Sequence, residues 1–120
     1  MISKYKAYWM ILKETHTPLI FMLDEKYLPM LKTSITKHIE QLQHLKYIYN
    51  LMDCDNFVFI LKGYADTKGN GMGIVYGKYK STTHMWNIAL LGYDTIQIEP
   101  QQGIIRTIDK HLYRPLVVVL

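Results

Sequence analysis

The 120-residue chain has a single cysteine, Cys54. It cannot close an internal disulfide, which excludes the stapled scaffolds of small secreted proteins. Long hydrophobic runs are also missing, and no stretch approaches the ~20 apolar residues that cross a bilayer as a helix. The start, Met1-Ile2-Ser3-Lys4-Tyr5-Lys6, leads into an apolar stretch broken by Lys13 and Glu14 and carries no signal-peptide pattern. These absences predict a cytoplasmic or virion-associated setting without a membrane partner. No linker, low-complexity tract or internal repeat divides the chain, so a single domain over 1–120 is predicted. One Cys and five scattered His lack structural-zinc spacing. Gly69-Asn70-Gly71-Met72-Gly73 is not a nucleotide fingerprint, because no strand–loop–helix unit surrounds it. The net charge of +4 is spread over scattered lysines and reads as a solubilising excess, so nucleic acid is not an expected partner.

What is present is an ordinary globular composition, 49% hydrophobic and 20% charged. A chain this size buries roughly two-thirds of its unfolded surface, enough for one stable core. The ten tyrosines combine apolar area with a polar tip, which suits an interface or a cleft. Residues 5–12 are aromatic and apolar and fit either a short strand or a helix. Leu19 to Leu23 fits a short strand or a buried segment. Leu31, Ile35, Ile39, Leu42 and Leu45 recur at helical spacing and predict an amphipathic helix over 30–50. A second helix is predicted from Met52–Cys54 to Leu61 or Lys62, with Gly63 as its terminator. Strands follow at Gly73–Tyr79, Thr83–Leu91, Thr95–Glu99 and Leu116–Leu120. Helices first and strands after define an α+β class with a mostly antiparallel sheet.

Three residues are candidates for chemistry. Cys54 falls at a predicted helix start, where unpaired N–H groups and the helix dipole favour a thiolate. Asp53 or Asp55 caps that helix, and a carboxylate too near would oppose the thiolate. The other reading of Cys54 is a small buried hydrophobe. His84 shares a strand face with Trp86, Ile88 and Leu90 and is either the base that deprotonates a thiol or a structural histidine. Glu99, at the end of the next strand, is either the group that orients His84 or a solvent-facing acid. A turn around Gly92 brings the two strands side by side. Gln97 shares the face of Glu99 and is a weaker orienting candidate. Trp86 either walls a site or packs beneath it.

These segments also carry a resemblance. Asp53-Cys54-Asp55-Asn56-Phe57 with Leu61-Lys62-Gly63, then Gly73-Ile74-Val75, His84-Met85-Trp86-Asn87 and Glu99-Pro100-Gln101 with Gly103, resemble the small papain-like cysteine protease domain of the Marasmius oreades agglutinin type. Similar domains stand alone in bacteriophage and prophage-encoded proteins. The match covers roughly residues 50–105. It implies a compact papain-like fold, N-terminal helices packed on the sheet, and a hydrolase that cleaves an amide bond of a protein or peptide substrate or a peptide crosslink. Cys54 would be nucleophile, His84 base and acid, and Glu99 the orienting group. It implies a calcium requirement, whose ligands the sequence does not place. Papain-like enzymes set a glutamine before the nucleophile; here Tyr47-Ile48-Tyr49-Asn50 leaves Asn50 or Tyr47 as the oxyanion-hole side chain. The agglutinin's sugar-binding domain has no counterpart here, so the resemblance does not carry carbohydrate binding over. Self-association is left open. The alternative is a non-catalytic phage or prophage protein, structural or partner-binding, that keeps the fold.

Overall fold

The computed structural model describes residues 1–46, 48, 53–100, 104–105, 108–109 and 111–120. Its frame is a six-stranded sheet with helices on both faces. In chain order the elements are β1 (Ile2–Ser3), α1 (Lys4–Thr15), β2 (Ile20–Phe21), β3 (Lys26–Tyr27), α2 (Lys32–Leu42), α3 (Cys54–Asp66), β4 (Met72–Tyr79), β5 (Thr82–Leu90), β6 (Thr95–Glu99), β7 (Ile104–Ile105) and β8 (Tyr113–Val119). The sheet order is β2-β8-β4-β5-β6-β7, and β1 and β3 form a small separate ribbon. Among the described residues the β2–β8 pairing of this sheet is parallel and its other pairings are antiparallel. This is the compact α+β architecture expected from the order of periodic segments.

Alternation along the strands sorts the core into two layers. Trp86, Ile88 and Leu90 of β5 join Val75, Val118 and the α1 residues Ala7 and Ile11 on one face. Ala89 and Ile98 join Ile35, Leu42, Leu61 and Ala65 of α2 and α3 on the other. Burial of this apolar area is the main stabilising term. α1 begins at Ser3, whose hydroxyl accepts from the Lys6 N–H at 3.3 Å, as an N-cap should. α3 begins at Asp53 in a capping box, with Asn56 Oδ1 accepting from the Asp53 N–H at 3.2 Å. At the ribbon, Glu25 hydrogen-bonds Lys4 at 2.8 Å and raises its pKa above the usual lysine value.

Two helix boundaries differ from the sequence reading. α2 ends at Leu42, the last of its buried positions, so the described part of the predicted 30–50 helix is shorter. α3 runs through Gly63 to Asp66 and stops at Thr67, whose N–H returns to the Gly63 carbonyl. Gly63 does not end the helix because Ala65, one turn after Leu61, is buried and carries the packed face onward. A Cβ on Gly63 meets nothing within 4 Å. Gly63→Ala is therefore expected to stabilise the fold by about 0.5–1 kcal/mol through helix propensity. Urea unfolding measures it, and a lower midpoint would contradict the open space at this position.

Candidate functional site

The antiparallel pairing of β5 with β6 aligns Asn87 with Ile98 and Leu90 with Thr95. It leaves His84, Trp86, Thr95, Gln97 and Glu99 on the face that α1 covers. There His84 Nε2 lies 2.7 Å from Glu99 Oε2, with the histidine side chain 17% exposed and the glutamate 4%. An ionised carboxylate oxygen only accepts, so the proton of this bond is assigned to Nε2. The Tyr113 hydroxyl donates to the same Oε2 at 3.1 Å, and Glu99 Oε1 is buried without a partner among the described residues. The rings of Tyr79, Trp86 and Tyr113 surround the imidazole at centroid distances of 5.9, 5.9 and 6.2 Å.

Trp86 is fully buried and stacks beneath His84, the packing alternative of the sequence reading. Its indole N–H donates to Gln97 Oε1 at 2.7 Å, so Gln97 serves Trp86 and not His84. Cys54 opens α3, and α3 packs against the opposite face of the sheet, where Asn87 Nδ2 reaches the Val58 carbonyl at 3.0 Å. The Cys54 side chain lies outside the described residues, as do Tyr47 and Asn50. The structure thus joins His84 and Glu99 and adds Tyr113, which the sequence reading did not place there. Among the described residues no three His, Cys, Asp or Glu side chains converge as metal ligands.

A second region was missed from sequence. α1 buries Ala7, Ile11 and Thr15 at four-residue spacing and so turns Trp9 outward. The turn between β5 and β6 presents Tyr93. Trp9 is 67% and Tyr93 94% exposed, and the two flank a cleft of about 350 Å³. Lys6, Lys13, Glu14 and Asp94 share its wall. The Lys6 ammonium stands 5.4 Å from the Tyr93 ring centroid. A tryptophan and a tyrosine this open beside four charged groups form a surface with both apolar faces and hydrogen-bonding edges. The available signals were the Gly92-Tyr93-Asp94 turn and the tyrosine count.

A helix starting at Cys54, packed on a sheet whose paired strands carry His84 and Glu99, is the α+β arrangement that the papain-like resemblance implies. Two examples come from the solved structures that share it. One is described as Polyporus squamosus lectin bound to the human-type influenza-binding epitope Neu5Acα2-6Galβ1-4GlcNAc; it has a TM-score of 0.80 and 17% identity, over 95% of this chain and 47% of that one. The other, a PSL1a–E64 complex, has a TM-score of 0.73 and 19% identity, over 84% of this chain and 42% of that one. The chain spans less than half the length of these structures, and at such identities the likeness carries the fold alone. No family model and no curated protein matches the chain.

The shared fold is thus papain-like and related to fungal lectins, and it is not specifically that of a protease. The expectation of a thiol hydrolase is corrected on this finding, together with the cysteine-protease, bacteriophage and viral descriptions attached to it. In the described cluster His84 pairs with Glu99, and the same Glu99 oxygen accepts from the Tyr113 hydroxyl. The expectation of a protein or peptide substrate is corrected too: of the two structures, the one with the higher TM-score is described as a lectin bound to a glycan. Among the described residues no helix is long and apolar enough to cross a membrane.

Proposed function

We propose that this chain is a non-catalytic binding module on a papain-like scaffold, and that it takes a carbohydrate in the cleft between α1 and the β5–β6 turn. The exposed pair Trp9 and Tyr93 carries this reading. A pyranose has an apolar C–H face and a rim of hydroxyls. An aromatic ring covers the first and removes both surfaces from water. Carboxylates and ammonium groups at the cleft wall bond the second, and hydrogen bonds to charged groups are the stronger kind. The site lies in this chain's own α1–β6 seam, and the reading rests on these residues, since the chain spans less than half of the lectin structure. On this reading His84, Glu99 and Tyr113 hold the scaffold together, and Cys54 marks the start of a helix.

Titration of isotope-labelled protein with galactose, glucose and N-acetylglucosamine tests the reading by NMR. The Trp9 indole N–H and the amides around Tyr93 are expected to shift together. Trp9→Ala should weaken the interaction by about tenfold or more, the size of one aromatic contact with its buried area. Because Trp9 is exposed, the variant should keep its melting temperature. Absence of any shift with all three sugars, or shifts confined to other regions, would overturn the assignment.

A further inference from the structure

The cleft does not stop at its aromatic lobe. Glu14 lines it on one side and on its other side lines a second cavity of about 260 Å³. Thr95 borders the first cavity and Gln97 the second, and these are neighbouring same-face positions of β6. Along α1 the order matches, with Trp9 and Lys13 at the first cavity and Thr15 and His16 at the second. The two cavities are therefore successive positions along one seam.

We propose that the second cavity holds a second sugar unit, so that the ligand is a linear oligosaccharide of two or more units straddling Glu14. This rests on the carbohydrate-binding reading of the first cleft. Gln97 sets the junction. The Trp86 indole can only donate, and it donates to Gln97 Oε1 at 2.7 Å. The amide orientation is thereby fixed, and Gln97 Nε2 points to Glu14 Oε1 at 3.2 Å. Gln97 is buried, so this clamp is held by the core. One Glu14 oxygen is occupied by the clamp, and the carboxylate keeps acceptor capacity for hydroxyls of a ligand crossing from one cavity to the other. Beyond it, Ile108 and Pro115 give an apolar wall for a ring face. Arg114, exposed at the same cavity, supplies a fork of N–H donors for the hydroxyl rim. His16 closes the end, its left-handed backbone at φ 58° turning the chain away from α1.

Calorimetric titration with galactose, glucose, N-acetylglucosamine and their 1-4-linked di- and trisaccharides tests this. For at least one sugar, the disaccharide is expected to bind about tenfold tighter than its monosaccharide, the gain from a set of charge-assisted hydrogen bonds. Arg114→Ala should remove that gain, whereas Trp9→Ala weakens every ligand. Equal affinities for mono- and disaccharides overturn the second subsite while the first cleft stands. A gain that survives Arg114→Ala also overturns it. Loss of all binding in the unmodified protein removes both readings.

Discussion

Replacing Gly77 with alanine is expected to cost about 3 kcal/mol or more and to lower the melting temperature more than any surface change. A Cβ built at Gly77 lies 2.2 Å from the Arg114 carbonyl oxygen and 2.9 Å from the Trp86 ring. The first contact is with backbone, which no rotamer can relieve. The register between β4 and β8 shifts between Tyr76 and Gly77, so the bulge and the close approach occur together. Gly77 faces His84 across β4–β5, and Trp86 packs against Tyr113 with centroids 5.1 Å apart. Accommodating one methyl group means pushing β8 off β4 or lifting Trp86 from the core. Thermal unfolding of Gly77→Ala beside Gly63→Ala measures the contrast, since the second adds the same methyl in open space. Similar melting temperatures for the two variants would refute the close approach.

The long strands were legible because each declares itself locally. β6, Thr95–Glu99, was read at its observed bounds because a turn precedes it and Pro100 comes directly after it. β5 was legible from Trp86, Ile88 and Leu90 alternating toward one layer. The pairing of His84 with Glu99 came from that hairpin, since two adjacent strands joined near Gly92 bring same-face residues together. The two-residue strands β1, β3 and β7 were not legible. Such short segments take their conformation from a distant partner, as Ile2 does from Tyr27, and no local pattern encodes that.

Illegibility at α1 has a different cause. Its buried stripe is Ala7, Ile11 and Thr15, only weakly apolar, while its open face carries Tyr5 and Trp9. The usual amphipathic signal is therefore nearly cancelled, and a reading of residues 5–12 could not separate helix from strand. The same inversion hid the cleft, because the exposure of a tryptophan is a tertiary property. A helix that spends its smallest side chains on the core and presents its largest to water departs from what stability alone favours. Such departures concentrate where a surface has another use. The sequence reading placed function at Cys54, His84 and Glu99 because catalytic residue types are easy to recognise. Trp9 and Tyr93 have no comparable signature.

Glu99→Leu should cost about 2–4 kcal/mol, because it removes the acceptor of two buried or half-buried donors at once. His84 Nε2 and the Tyr113 hydroxyl both depend on Glu99 Oε2, at 2.7 and 3.1 Å. Leucine fills similar space and offers neither an oxygen, so both donors lose their bond to Oε2. Glu99→Gln keeps an amide oxygen and should recover part of the loss. The double replacement His84→Phe with Glu99→Leu should cost less than the sum of the single changes, since it removes one stranded donor along with its acceptor. The decisive comparison sets stability against sugar binding in these variants. If the His84–Glu99–Tyr113 cluster serves the scaffold, denaturant midpoints fall while the folded protein binds saccharide at the Trp9 cleft as before. A Glu99→Leu protein of unchanged stability would remove the structural role given to the cluster. One that stays folded and loses sugar binding would move the binding function from the α1–β6 seam to the cluster itself.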